Sequence, residues 1–330
     1  MEAYSVFGLT ATQTEILFEL ERRLILNDLS SDENKKERKT NWLTEWNDSI
    51  SSYLKDTLSI PCAYIFNRCT EDELVKYING ERSDNTVWKY MILLECVLFG
   101  GYYPFKKEDV KRFKGLRMAK KPKREMLERI AKDFLHVDAK YIGIFQKAFE
   151  KSIKRMSNYW LKVGGVSLIV ALIILFVIIT QQYEILVLFA KEGATGAAAI
   201  SSGLAALGGG AIAAGGGGVA AGTAVFVGGG ILLGAAVGVP SGFIVATATN
   251  SKLFLSQAAK MEVVLKEIVL AIQKDTEYFQ KVLANLSEQV LTLSAEIQRL
   301  KKEEENNKKK IAELKKSLKY LQSVIGAVSK

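Results

Sequence analysis

Histidine is almost missing from this sequence: His136 is the single one in 330 residues. Catalysis that relays protons through paired imidazoles is therefore excluded, and so is a two-histidine metal site. Cysteine is nearly as scarce. Cys62, Cys69 and Cys96 form an odd set without zinc-type spacing, so they read as semi-buried thiols in a reducing compartment. No alternation of apolar and polar residues persists long enough to argue for a sheet. Carboxylates are plentiful, but none falls in an acid–base or metal-ligating pattern. No enzyme activity, cofactor or metal is expected. Nor is a signal peptide, because residues 1–20 include acidic side chains and lack a basic stretch ahead of an apolar one.

The largest deficit is charge, and it is local. Residues 163–183 form one uncharged run, and residues 193–251 another that is nearly three times as long. About 20 helical residues span a hydrocarbon core of ~30 Å, so both runs are long enough to cross a membrane. Between these runs and their flanks the chain divides into four parts. Residues 1–160 are a helical soluble domain and 161–191 a transmembrane helix. Residues 192–251 form a Gly/Ala-rich hydrophobic hairpin, and 252–330 a coiled coil. The fold class is all-α.

Within the first part, Ile16, Leu17, Leu20 and Leu24 mark one helix stripe, and Trp42, Leu43, Trp46, Ile50, Tyr53 and Leu54 a second. Residues 30–40 read as a polar loop between them. Pro61 sets a limit to the second helix. Thr70 with Glu73 is a capping-box start for a short helix stopping near Gly80. The stretch 87–99 is almost wholly apolar but too short to span, which makes it a central core helix. Stretches 124–135 and 138–160 are two further helices, with Asp138 as N-cap and His136 in the turn between them. The segment 106–124 holds ten basic residues. A solvated face near an anionic leaflet explains that cluster better than nucleic-acid binding, since stacking aromatics are missing beyond Phe113. An unknown protein partner for this domain stays open.

Lys147, Lys151, Lys154, Arg155 and Lys162 lead into the first uncharged run, with Tyr159 and Trp160 at the interface position. Basic flanks and aromatic anchors mark the cytoplasmic end of a span. The localisation expected is a bacterial inner membrane with the N-terminal domain in the cytoplasm.

The second run is built from small residues: 17 Gly, 16 Ala, three Ser and four Thr make up 40 of residues 193–250. Every fourth position from Ala194 onwards is small except Phe226, through Gly210, Gly218, Gly222, Gly230, Gly234, Gly238 and Gly242. The neighbouring row is also mostly small, while the opposite rows carry Leu204, Leu207, Ile212, Val219, Val227, Ile231, Val239 and Phe243. One small face and one large face suit close helix packing in lipid, where association depends on backbone approach. Gly215, Gly216 and Gly217, together with Gly218, supply a hinge between two stretches of equal length, 194–214 and 219–239. No Gly-Lys-Ser/Thr follows, which argues against a phosphate cradle. The segment ATGAAAISSGLAALGGGAIAAGGGGVAAGTAVFVGGG resembles a glycine-rich stretch of a loose group of bacterial membrane-associated proteins. It is also similar in kind to the insertion hairpin of cytolysin-type α-helical pore-forming proteins. That resemblance implies insertion in lipid and oligomerisation. It covers less than a fifth of the chain and carries over no catalytic or binding residue.

From Leu265 the apolar residues keep a heptad register that includes Leu286, Leu293, Ile297, Leu300, Leu314 and Leu321. The register places Thr276, Glu304 and Asn307 in the core. Because Ile311 returns in phase, one continuous helix to Val328 is favoured over a fold-back at 303–310. Such a helix cannot cover its own stripe and implies a homo-oligomer through the coiled coil. The tail has 15 basic and 10 acidic residues, which argues for the same side of the membrane as the N-terminal domain and an even number of crossings. One span plus a hairpin makes three, and the two arguments conflict. Two functions fit: an oligomeric membrane-perturbing or pore-forming protein, and a non-catalytic membrane-anchored scaffold or tether. In both, the lipid bilayer is the first partner and nucleic acid is not one.

Overall fold

The computed structural model describes residues 9–31, 35–56, 64–81, 86–102, 109–163, 259–260, 262–302 and 308–329. These residues are mostly helical and contain no strand, as an all-α chain requires. They fall in two compact units, with described parts 9–147 and 148–329. The Gly/Ala-rich rows, the glycine hinge and all of the first uncharged run beyond Val163 lie outside the described residues. No helix among the described residues is long and apolar enough to cross a membrane.

The first unit is organised around α1, Ala11–Ser31, which α2 (Lys36–Asp56), α3 (Glu71–Gly80), α4 (Val87–Leu98) and α6 (Lys120–Arg129) all contact. A helix surrounded in this way is ordinarily apolar all round. Here Ile16, Leu17, Leu20 and Leu24 are buried, and so are Glu15, Glu19, Glu21 and Asp28. Two of these carboxylates hold a neighbouring segment to α1. Glu15 accepts from the backbone N–H groups of Ile65 (2.8 Å) and Phe66 (3.2 Å), and Glu19 from that of Asn67 (2.9 Å). Glu19 also pairs with Arg22 and Arg23, at 2.8 and 2.9 Å. The sequence pattern hides this, because the stripe is apolar only at every third or fourth residue.

Trp42 and Trp46 stack at 5.9 Å on the inner face of α2. Trp46 reaches Phe66, Phe99 and Phe18, with ring centroids 5.7 to 6.4 Å apart. Aromatic contacts of this kind dominate the apolar area a small helical domain can bury. The polar loop read at residues 30–40 is shorter than its composition suggests, since α1 runs to Ser31 and α2 starts at Lys36. α3 carries the full capping box: Thr70 accepts from the Glu73 N–H, and Glu73 from the Thr70 N–H. The short α5, Asp109–Phe113, precedes α6.

α6 does not stop at a cap. It passes into a π-helical turn, Ile130–Phe134, closed by His136 in the left-handed region at φ 53°. The Val137 N–H reaches back to the Ala131 carbonyl at 2.8 Å, satisfying an end carbonyl much as a Schellman motif does. α7, Lys140–Val163, follows, with Asp138 accepting from the Lys140 N–H at 2.8 Å. Residues 140–147 of α7 belong to the first unit and 148–163 to the second.

In the second unit the chain after residue 258 forms a π-helical segment, Val264–Ile272, then α8 (Thr276–Lys302) and α9 (Lys308–Val328). The single continuous helix is corrected here in two places. Lys274 takes φ 55° and breaks the helix between Ile272 and Thr276, the Asp275 N–H returning to the Val269 carbonyl at 3.3 Å. Thr276 is therefore the exposed first residue of α8, not a core residue. α8 and α9 then pack against one another, and helices joined by only residues 303–307 can do so only antiparallel. A rod reading straight through 303–310 would have buried Glu304 and Asn307 at its seam. Folding back buries Leu286, Leu293, Ile297, Leu300 and Leu321 of the stripe, while Leu283, Val290, Ile311, Leu314 and Leu318 stay half-buried.

Candidate functional site

The residues expected to work in a membrane sort into three groups. Gly210, Gly218, Gly222, Gly230, Gly234, Gly238 and Gly242 lie outside the described residues, as do Gly215, Gly216 and Gly217. Tyr159, Trp160 and Lys162 fall in the last turns of α7, beyond which the first uncharged run continues. Of the expected heptad core, Leu286, Leu293, Ile297, Leu300 and Leu321 are buried and Leu314 is half-buried. The two tail helices pack on each other, and the first of them also meets the segment Val264–Ile272.

The place that bears on the uncharged stretch is where its two ends emerge. α7 leads into it, and the segment from Ala259 to Ile272 leads out. Glu262, only 6% exposed, accepts from Ser152 Oγ and from Arg155 Nη2. Arg155 Nη2 lies 3.4 Å from Ser152 Oγ, so the hydroxyl and the guanidinium converge on one carboxylate. The outgoing segment also packs through apolar side chains. Ala259, Val263, Val264, Leu265 and Ile268 are buried along it. Tyr320 and Val324 of α9 are buried too, and burial pushes the Tyr320 hydroxyl far above its ordinary range. A cleft of about 110 Å³ lies among α7, the outgoing segment and the end of α9, lined by Lys151, Arg155, Glu262, Lys266, Glu267 and Ala327. Sequence reading missed the clasp, since Ser152 and Glu262 are 110 positions apart and a lone Glu among apolar residues gives no local sign of its partner.

The basic stretch 106–124 contributes two different things. Lys111, Arg112, Lys114, Arg117, Lys120, Lys121 and Arg124 lie at the surface, exposed or half-exposed. Arg112 is paired with Glu45 at 2.6 Å and Arg124 with Glu128 at 3.2 Å. Lys123 points inward instead. Its ammonium donates to the Val97 and Phe99 carbonyls at the end of α4, at 2.8 and 2.7 Å. Burial there pushes its pKa down to about 8, against the opposing pull of Cys96 and Glu21. Burial also holds the Cys96 thiol well above its ordinary value, with Glu21 and Glu95 acting in the same direction. Lys123 is therefore a structural cap rather than part of a basic surface.

His136 is exposed, its Nδ1 lying 3.1 Å from the Lys132 carbonyl. Among the described residues, no group of three or more His, Cys, Asp or Glu side chains is placed to hold a metal ion. Cys69 and Cys96 are buried. Compared with family models, curated proteins and solved structures, the chain matches none.

Proposed function

We propose that this chain is a non-enzymatic membrane protein whose Gly/Ala-rich stretch packs helix against helix in the bilayer and permeabilises it. The observation that carries this reading is the long uncharged run at 193–251, with its small side chains segregated onto two adjacent helical rows. In hydrocarbon, Leu and Ile side chains gain nothing by meeting each other, so close backbone approach across small residues is what drives association. The helical units at either end hold and regulate that stretch. The resemblance to the glycine-rich stretch of bacterial membrane-associated proteins agrees with this reading. The self-association of such a segment rests on its small rows.

The experiment replaces small-row glycines in full-length, detergent-purified protein. Gly234→Leu and Gly238→Leu each lower dye release from anionic vesicles at least tenfold while leaving vesicle binding unchanged. Dye release equal to wild type in both variants contradicts the proposed packing face.

The half-buried apolar positions of the tail, Leu283, Val290, Leu314 and Leu318, favour a second reading, a membrane-anchored scaffold or tether that recruits a partner through that tail. In that case the protein holds its helical units at a bilayer without opening it. Full vesicle binding with no dye release by the unmodified chain is its signature.

A further inference from the structure

We infer that the uncharged stretch leaves and re-enters on one side of the membrane, so that the chain crosses twice and the tail hairpin shares a side with α7. This rests on the membrane reading above and specifies its topology. The clasp is the first argument. Ser152 and Arg155 meet Glu262 directly, although 110 and 107 residues separate them in sequence. Ends held within hydrogen-bonding distance cannot stand on opposite faces of a hydrocarbon layer ~30 Å thick. A path that returns to its own side makes an even number of crossings.

Charge provides the second, independent argument. The incoming stem carries Lys147, Lys151, Lys154, Arg155 and Lys162, and the outgoing stem Lys252, Lys260 and Lys266. Between Lys162 and Lys252 the only charged residues are Glu184, Lys191 and Glu192. Basic residues near span ends favour the cytoplasmic side. Both stems therefore belong inside, and the poorly basic connection at 184–192 belongs outside.

Length then selects among the even numbers. The first uncharged run, 163–183, supplies the outward crossing. Three crossings take about 60 residues, which would use up the whole second run and leave none for turns. A single return crossing fits. The glycine run at 215–218 is then not the tip of a two-span hairpin, which would bring the tail out on the far side and pull the clasp apart.

The test uses the full chain in a bacterial inner membrane. A fluorescent reporter that matures only in the cytoplasm, and a phosphatase active only outside it, are fused separately before Met1 and after Lys330. A Lys191→Cys variant is labelled in intact cells with a membrane-impermeant maleimide, beside the parent protein with its native cysteines. The expected result is fluorescence without phosphatase activity at both ends, and labelling of Lys191→Cys at least fivefold above the parent. Opposite reporters active at the two ends, in a chain that carbonate washing leaves in the membrane, overturn the two-crossing topology and spare the membrane reading. Like reporters at both ends without labelling of Lys191→Cys also overturn it. Release of the chain by carbonate washing overturns the membrane reading and this inference together.

Discussion

Asp28 shows how much of the first unit hangs on single side chains. It is fully buried, pairs with Lys39 Nζ at 2.7 Å, and accepts from Tyr102 OH at 2.6 Å and from the Ala119 N–H at 2.7 Å. It thereby ties α1 to α2 and to two loops. Removing one partner of a buried pair leaves an uncompensated charge, at a cost of about 3–5 kcal/mol. Asp28→Ala is accordingly expected to destabilise the full-length protein by that order in denaturant titration, and by less when Lys39→Met accompanies it. Equal losses in the single and double variants would contradict the pairing. Lys123 gives a pH signature. Its folded-state pKa is about 8 against 10.5 for the free side chain, so between those values the unfolded chain holds the extra proton. Stability attributable to Lys123 is therefore lowest below pH 8 and rises as pH climbs from about 8 to 10.5. Subtracting the profile of Lys123→Met from that of the wild type isolates this rise from the opposing titration of Cys96. A flat difference across that range would argue against a buried ammonium.

At the scale of elements, the clasp and the tail hairpin make separate claims. Glu262→Arg sets two cations together at a buried position, and its melting temperature is expected to fall. Combining it with Arg155→Glu restores the pair, and with it most of the loss. A double variant as unstable as the sum of the single ones would show that the two residues do not interact. In the hairpin, Leu293 is fully buried and Leu291 is 70% exposed. Leu293→Ala is expected to cost about 2–5 kcal/mol of helix-pair stability by circular dichroism, and Leu291→Ala close to nothing. Much of this level was legible in the sequence, because its signals are local. The Thr70/Glu73 capping box, the α4 core helix, the His136 turn and Asp138 just ahead of α7 need only neighbouring residues to declare themselves. The turn-back after α8 was not legible. Heptad phase is preserved across 303–310 whether the helix continues or folds back, so phase cannot distinguish a partner in trans from one in the same chain. The break at Lys274 was hidden for a related reason, since a non-glycine residue in the left-handed region carries no compositional mark.

At the scale of the whole chain, the proposed function rests on the uncharged stretch 193–251 and on the clasp that joins its flanks. The length and missing charge of that stretch were plain from the sequence. The relation between its ends was not, because it depends on Ser152, Arg155 and Glu262 meeting across the whole of it. The central claim, that this stretch acts on the bilayer, is tested most directly by dye release from anionic vesicles. Full-length protein is compared with a variant lacking residues 193–250, both purified in detergent and both checked for retained helicity. The account predicts release by the full-length protein and its loss in the deletion variant. Equal release by the two would contradict it.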